Sequence, residues 1–305
     1  MESSILSFIN YLRFEKRYSA HTIRSYKDDL EAFMAYVGRE FGGLELKEVS
    51  PAVVRSWLAS MKDEGLSSRS LNRKISSLRS FYKYQLKNGV VETSPMGAII
   101  SPKMSKRLPV FVEQKEMAIL FDEVAFPDDW GGWTDRLVLA ILYYTGMRLS
   151  ELVGLREGHV DSGNRTVKVL GKGNKERVIP VNEVLMAAIR EYCEKKSELG
   201  AAESPGRPKG VVDREFLLVN GAGKKLYPKY VYRVVRRYLA QVTTIEQKSP
   251  HVLRHTFATH LMNAGAGLTP VKELLGHASL AATQVYTHNT IEKLKDIYKK
   301  AHPKA

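Results

Sequence analysis

The stretch "SPHVLRHTFATHLM", residues 249–262, has two histidines and an arginine within five residues at the predicted start of a helix. The opening Ser-Pro pair supplies a favourable N-cap residue and a favourable first helical residue. His251, Arg254 and His255 then follow at i, i+3 and i+4, so their side chains share one face of the helix. The pattern leaves open whether this face binds a metal, binds a phosphate or only contacts solvent.

A zinc site is the weaker of these interpretations. Two histidines four residues apart can ligate zinc from a helix, but Arg254 stands between them and a guanidinium would repel the ion. His260 lies on the opposite side of the helix from His251 and cannot complete a ligand set. A phosphate fits better, because the helix start is electropositive and Arg254 can donate two hydrogen bonds to it.

Composition indicates a basic globular protein with an anionic partner. The 305 residues are 44% hydrophobic and 26% charged, and the formal net charge is +14. Residues 1–105 carry 16 basic and 11 acidic side chains, and residues 106–305 carry 31 and 22, so both parts are positive. This balance favours a polyanion, nucleic acid ahead of a membrane surface, although an ordinary basic protein is the alternative.

Several classes of protein are not favoured by the sequence. No apolar run approaches the roughly 20 residues that span a bilayer, and "MESSILSFINYLRFEKR" lacks the basic start and unbroken apolar core of a signal peptide. The single cysteine, Cys193, excludes an internal disulfide and a cysteine-based zinc cluster. We expect a cytoplasmic protein without membrane, metal or cofactor.

The first part of the chain predicts helices only. The segment "SSRSLNRKISSLRSFYKYQLKNG", residues 67–89, has one apolar stripe, and its other faces are basic without any acidic residue. A solvated face usually mixes both signs, so this helix is predicted to lie against a phosphate backbone. Its predicted DNA contacts are Arg69, Arg73, Lys74, Arg79 and Lys83. Residues 93–109 hold three prolines among basic side chains and predict an inter-domain linker.

The second part predicts a mixture of elements. Residues 134–155, "TDRLVLAILYYTGMRLSELVGL", predict two helices interrupted at Gly146. Residues 164–181, "NRTVKVLGKGNKERVIPV", predict a β-hairpin around a Gly-Lys-Gly-Asn turn, and "EFLLV", residues 215–219, predicts a further strand. A later helix, residues 227–242, is predicted to direct its basic residues outward as DNA contacts. These are Arg233, Arg236 and Arg237.

Four further residues could contribute to a phosphate site, although each also has a common structural role that needs no phosphate. Arg148 follows the glycine break, where a surface or ion-pair arginine is usual, and Lys172 is at the hairpin tip, where a solvated lysine is usual. His277 follows the predicted helix end at Gly276, where a histidine often compensates the helix dipole. Tyr286 lies on a predicted short helix, where a core tyrosine is usual. These explanations do not account for the order in which the segments occur.

The segments "TGMRLSEL", "GKGNKER", "HVLRHTFATHL" and "LLGHASLAATQVYTH", in this order, resemble the tyrosine recombinase (phage integrase) family and its Xer-type site-specific recombinases. The chain departs from that pattern at Ala282, where threonine or serine is common. The resemblance implies a multidomain, mainly α fold. An all-α SAM-like core-binding domain is expected at residues 1–92, the linker at 93–109, and a mixed α/β, mostly α catalytic domain with a small β-hairpin at 110–305.

The resemblance also implies a mechanism. Tyr286 is the expected nucleophile and leaves a 3′-phosphotyrosyl link, a covalent step that conserves the phosphodiester energy without ATP or metal. Arginines and histidines are expected to hold the phosphate, and Lys172 to protonate the departing 5′ oxygen. The implied catalytic set is Arg148, Lys172, His251, Arg254, His277 and Tyr286, with Glu151 and His255 in supporting roles. Lys175 is a further expected DNA contact.

The resemblance implies a double-stranded recombination site as partner, assembly as a homo-tetramer or as a hetero-tetramer with a sister recombinase, and activation by a cell-division DNA translocase. The implied role is the resolution of chromosome dimers at a terminus site. Alternatives with the same chemistry are an integrase of a mobile element and a type IB topoisomerase. A non-catalytic DNA-binding protein of the same fold is a third alternative, and a zinc-dependent hydrolase is the last.

Overall fold

The computed structural model describes residues 2–103, 110–171, 176–198 and 212–276. The α-helices are α1 (Glu2–Asn10), α2 (Ala20–Phe41), α3 (Pro51–Asp63), α4 (Ser68–Lys87), α5 (Gln114–Asp122), α6 (Trp130–Thr145), α7 (Leu149–Val153), α8 (Glu183–Glu198), α9 (Pro228–Val242), α10 (Pro250–Asn263) and α11 (Leu268–Leu275), with a short π-helix at Tyr11–Glu15 and a 3-10 turn at Glu157–His159. The strands are β1 (Val160–Asp161), β2 (Thr166–Leu170) and β3 (Glu176–Pro180). The chain divides into two units, Met1–Arg107 and Leu108–Ala305.

Three helices of the first unit begin at a serine N-cap. The side chains of Ser19, Ser50 and Ser67 accept hydrogen bonds from backbone N–H groups in the first turns of α2, α3 and α4. Such caps satisfy amide groups that have no partner within the helix. Pro51 follows Ser50 as the first residue of α3, a position where the missing N–H of proline costs no hydrogen bond. The helices then bury their apolar stripes against one another, with Phe33, Trp57 and other large side chains in the core.

A buried carboxylate joins α2 to α4. Asp29 of α2 is wholly buried, and its oxygens accept hydrogen bonds from Nη1 of Arg73 at 2.6 Å, Nζ of Lys74 at 3.0 Å and Oγ of Ser77 at 2.8 Å. The face of α4 that lacks acidic residues in its own sequence therefore receives its counter-charge from a neighbouring helix. Part of its positive charge serves the fold, because a buried carboxylate is stable only when it is paired.

The beginning of the predicted linker packs on the first unit. Met96 and Ile99 are buried in its core. Nη2 of Arg79 donates to the Ile99 carbonyl at 3.1 Å, and the Asn72 side-chain amide donates to the Pro102 carbonyl at 2.9 Å. The chain therefore follows α4 as far as residue 102, and residues 104–109 lie outside the described residues.

The core of the second unit forms around α6, which is buried along most of its length. Gly146 ends α6 in the left-handed conformation and α7 begins at Leu149, so the predicted break between two helices is confirmed. Within the described ranges, no helix is both long enough and apolar enough to cross a membrane.

One small antiparallel sheet stands beside these helices, with strand order β1-β2-β3. β2 and β3 form the predicted hairpin, and Val169 lies opposite Arg177 in their register. The strand predicted at residues 215–219 was wrong. Leu217 and its neighbours are buried, but this segment makes only isolated bridges, Arg156 with Phe216 and Val219 with Lys225, because no long strand lies beside it among the described residues.

Candidate active site

α6 ends at a glycine that turns the chain toward the site. Gly146 has a φ of 59°, in the left-handed region that other residues adopt only with strain. A Cβ atom at this position would lie 2.3 Å from Cδ1 of Phe257, so packing also requires glycine. Two residues later, Arg148 occupies the N-cap position of α7.

Glu151 fixes Arg148 from the first turn of α7. Its Oε2 accepts a hydrogen bond from the Arg148 backbone N–H at 2.7 Å, and its Oε1 accepts one from Nη1 of Arg148 at 2.9 Å. The Glu151 side chain is 2% exposed, whereas that of Arg148 is 32% exposed. Arg148 therefore reaches the surface from a buried anchor, as the donor to a surface-bound anion must.

Arg254 of α10 lies beside this corner. It is 7% exposed, and it donates from Nη1 to the Gly146 carbonyl at 2.7 Å and from Nη2 to the Leu275 carbonyl at 2.6 Å. Burial first, and then the guanidiniums of Arg148 and Arg177, lower the pKa of Arg254 to about 10. Arg254 is therefore still cationic near neutral pH.

A third arginine, which the sequence analysis did not include, completes the cluster. Arg177 lies on β3 with a side chain that is 6% exposed. Its Nη1 and Nη2 donate to the two oxygens of Glu151 at 2.7 and 2.8 Å, and its Nε donates to the Leu274 carbonyl at 2.9 Å. The sequence held two signals for it. Arg177 ends the segment "GKGNKER" that carries the family resemblance, and it is two residues before the apolar Ile179, so both side chains project from the same face of the strand.

The three arginines meet at the C-terminal end of α11. The consecutive carbonyls of Leu274, Leu275 and Gly276 each accept a hydrogen bond from a different arginine. The last carbonyls of a helix lack intrahelical partners and form the negative end of its dipole, so cations are favourable there. These contacts hold β3, α10 and the start of α7 to one helix end.

The arginine cluster, Arg148, Arg177 and Arg254, carries more charge than its carboxylate partner balances. Among the described residues, Glu151 is the carboxylate that hydrogen-bonds to it. Burial alone would raise the pKa of Glu151, but the hydrogen bonds and charges of Arg177 and Arg148 outweigh burial and lower it. Glu151 is therefore ionised near neutral pH, and the cluster keeps a positive excess that an anion can neutralise.

α10 places its histidines on opposite sides. His251 and His255 are exposed, and burial of part of the ring, followed by the nearby His251, lowers the pKa of His255. His260 is buried. Its Nε2 donates to the Val112 carbonyl at 3.0 Å, so its Nδ1 accepts from the Tyr143 hydroxyl at 3.1 Å. Within the described ranges, no three His, Cys, Asp or Glu side chains are grouped as a metal site requires.

The predicted DNA-contact residues differ in exposure. The exposed ones are Arg69, Arg73, Arg79 and Lys83 of α4 and Arg233, Arg236 and Arg237 of α9. Lys74 is different, because its side chain is only 12% exposed and is bound to Asp29. Four predicted site residues lie outside the described residues, namely Lys172, Lys175, His277 and Tyr286.

Two family models match this chain. The model of the phage integrase family matches residues 111–293, and the model of the phage integrase N-terminal SAM-like domain matches residues 5–89. The chain belongs to the phage integrase family. Members of this family are tyrosine recombinases, which cleave and rejoin DNA through a tyrosine intermediate, so the enzyme class expected from the resemblance is confirmed.

Curated relatives match this recombinase from end to end. A tyrosine recombinase XerC of Staphylococcus saprophyticus is 39% identical over 305 residues, which span 100% of this chain and 99% of the relative. One of Chlorobaculum tepidum is 36% identical over 318 residues, which span 98% of this chain and 94% of the relative. Site-specific tyrosine recombination is therefore the activity of this protein.

Solved structures share the fold. A XerH site-specific recombinase bound to a palindromic difH substrate, in a post-cleavage complex, has a TM-score of 0.71 at 24% identity, covering 97% of this chain and 83% of that one. The Tn1549 transposon integrase in complex with circular intermediate DNA has a TM-score of 0.68 at 20% identity, covering 95% of this chain and 98% of that one. The expected mainly α fold, with a SAM-like and a catalytic part, is confirmed.

Proposed function

We propose that this recombinase cleaves each strand of its duplex site with Tyr286 while the arginine cluster holds the scissile phosphate. The Tyr286 hydroxyl oxygen attacks phosphorus and the bond from phosphorus to the 5′ oxygen breaks, which leaves a 3′-phosphotyrosine and a 5′-hydroxyl. Rejoining is the reverse attack by a 5′-hydroxyl. Each exchange forms one phosphoester bond for the one it breaks, so the step consumes no ATP.

The observation that carries this proposal is the charge of the cluster. Three guanidiniums face a single carboxylate, that of Glu151, among the described residues. A phosphodiester carries one negative charge, and more develops on its oxygens as the nucleophile adds. A preorganised cationic cluster with a positive excess therefore binds the transition state more tightly than the substrate, which is the condition for catalysis.

The remaining roles rest on the family resemblance and on the chemistry of each side chain. Arg148 and Arg254 are assigned to the non-bridging oxygens, because each has N–H groups beyond those bound to backbone carbonyls. His251, exposed on the helix that carries Arg254, is assigned to accept the proton of the nucleophile. Lys172 is assigned to protonate the departing 5′ oxygen, and His277 to donate a further hydrogen bond. His255 keeps a supporting role.

The proposed DNA partner is a duplex recombination site, contacted along its phosphate backbone by the exposed basic residues of α4 and α9. The proposed cellular role is the resolution of chromosome dimers at a terminus site. It rests on the Xer-type resemblance and is supported by the XerC names of the relatives. Assembly as a tetramer, with itself or with a sister recombinase, and activation by a cell-division DNA translocase are parts of the same proposal.

Covalent trapping tests the proposal. The full chain is incubated with nicked suicide duplexes that carry candidate terminus sites, alone or with a sister recombinase, and a denaturant-resistant protein–DNA adduct is measured. We expect an adduct with the wild type and none with Tyr286→Phe, which should still bind the duplex. Arg148→Gln and Arg254→Gln should each slow adduct formation by about 100- to 1000-fold. An adduct formed by Tyr286→Phe would refute the choice of nucleophile.

A further inference from the structure

We propose that Arg177 is a positioning residue of the recombination reaction: it holds the Arg148–Glu151 pair and the end of α11 in one fixed arrangement. Arg177 itself does not touch the DNA. The proposal rests on the proposed function of the arginine cluster, because it explains how that cluster is held ready for a phosphate.

All three nitrogens of the Arg177 guanidinium are used within the protein. Nη1 and Nη2 donate to the two oxygens of Glu151, and Nε donates to the Leu274 carbonyl. The planar guanidinium therefore fixes a carboxylate and a helix end relative to each other, which a lysine with its single nitrogen cannot do. Arg177 therefore acts through Glu151 and the end of α11, from a side chain that is 6% exposed.

The contacts form a chain that leads to the surface. Oε1 of Glu151 accepts hydrogen bonds from Nη1 of Arg177 and from Nη1 of Arg148, at 2.7 and 2.9 Å. A displacement of Arg177 therefore moves the carboxylate, and with it the guanidinium of Arg148, which is 32% exposed. A shift of about 1 Å in a catalytic group can slow a reaction about 100-fold.

The backbone of Gly276 is shaped for the same contact. Gly276 has a φ of 63°, and a Cβ atom added there would lie 3.1 Å from both Cδ and Nη1 of Arg177. Its carbonyl accepts from Nη2 of Arg148 at 2.8 Å. The missing side chain thus leaves room for the Arg177 guanidinium, while Arg148 binds the backbone carbonyl of the same residue.

A different role for Arg177 makes a different prediction. Arg177 is the second residue of β3 and follows Lys172 closely in the sequence, so it could instead hold the Lys172 segment for proton donation to the leaving group. A substrate with sulphur in place of the bridging 5′ oxygen separates the two roles. A thiolate leaves without a proton donor, because its conjugate acid is far more acidic than an alcohol.

The test uses the full chain, with Arg177→Lys and Arg177→Gln measured for thermal unfolding, duplex affinity and single-turnover cleavage of the suicide substrate. We expect both variants to bind the duplex as the wild type does and to cleave it about 10- to 100-fold more slowly.

The control is Arg190→Gln, which removes an exposed arginine–glutamate pair of the same unit and should leave cleavage unchanged. Full activity of a folded Arg177→Lys would overturn the proposal. That variant keeps the charge and most of the volume, so it carries the test if Arg177→Gln does not fold.

Two further measurements test whether Arg177 acts on cleavage through Glu151 and Arg148. In a Glu151→Gln background, Arg177→Gln should slow cleavage by much less than in the wild type, because the two residues act together; independent, multiplying effects would count against the proposal. On the substrate with sulphur in place of the bridging 5′ oxygen, the Arg177 variants should still cleave more slowly than the wild type. Full recovery of the cleavage rate would instead assign Arg177 to the hairpin and refute its proposed action through Glu151. A wild type that forms no adduct would instead refute the proposed function.

Discussion

Glycine is required at position 146, between α6 and α7, for two separate reasons. In Gly146→Ala, a left-handed backbone and a Cβ atom 2.3 Å from the Phe257 ring act together. We expect a loss of roughly 2 to 4 kcal/mol in the free energy of unfolding, from backbone strain and overpacking. Urea unfolding followed by tryptophan fluorescence measures it. Gly158→Ala is the matched control, because nothing lies within 4 Å of its added Cβ, and an equal loss in both variants would contradict this account.

Glu151 makes the stability of the second unit depend on pH. Its pKa in the folded chain is below the ordinary value of 4.5, so its stabilising contribution is complete above that value and is lost as the pH falls through the folded pKa. Glu151→Gln leaves the buried arginines without a counter-charge and should cost roughly 3 to 5 kcal/mol near neutral pH.

Urea midpoints measured from about pH 7 down to about pH 3 check this prediction. The difference between wild type and Glu151→Gln should shrink as the pH falls. The control is Glu183→Gln, since Glu183 forms ion pairs with Arg165 and Arg190 at the surface, where such pairs contribute little. A difference that stays constant over the whole range would show that the charge of Glu151 is not what stabilises the fold.

At the scale of elements, the contact between α2 and α4 depends on one buried carboxylate. Asp29→Ala removes the acceptor of Lys74, Arg73 and Ser77, and it leaves Lys74 as a poorly exposed cation without its partner. We expect a loss of roughly 3 to 5 kcal/mol in the stability of the first unit, measured by urea unfolding.

The neighbouring residue provides the control for that prediction. Asp28 lies one position earlier on α2, but its ion pair with Arg24 is long, at 4.0 Å, and exposed. Asp28→Ala should therefore change stability by less than about 1 kcal/mol. Equal effects of the two substitutions would mean that burial of the Asp29 network adds nothing.

The same elements show what the sequence could predict. The break at Gly146 and the β2–β3 pairing depend on interactions between residues close in sequence, and local patterns predicted both. The pairing of Asp29 with Lys74 joins two helices, so the isolated basic face of α4 gave no sign of it. The failed strand at residues 215–219 has the same cause, because a strand needs a partner that its own residues do not specify.

The residues of the candidate site were likewise predictable from the sequence only in part. The family resemblance supplied Arg148, Arg254 and Glu151, and the structure brings all three together. Arg177 was missed because a charged residue on a short strand is ordinarily read as exposed. Only the approach of α7 and α11 from elsewhere in the chain turns that position into the interior of the site.

At the scale of the whole molecule, positive charge extends over both units, within a formal net charge of +14. The first unit presents Arg69 and Lys83 at its surface, and the second presents Arg233 and Arg236. If both surfaces contact the phosphate backbone, each contact releases about one counterion, and the affinity falls with salt accordingly.

The prediction is that two double variants, Arg69→Gln with Lys83→Gln and Arg233→Gln with Arg236→Gln, each lower the slope of log affinity against log salt by about 2. Duplex binding by the full chain, measured over a range of salt concentrations, gives these slopes. Arg190→Gln with Lys195→Gln removes the same charge from α8, where both cations already pair with glutamates, and should leave the slope unchanged. If all three double variants lowered the slope equally, net charge alone would account for binding. A loss confined to the α4 and α9 variants would instead locate the DNA along those two helices.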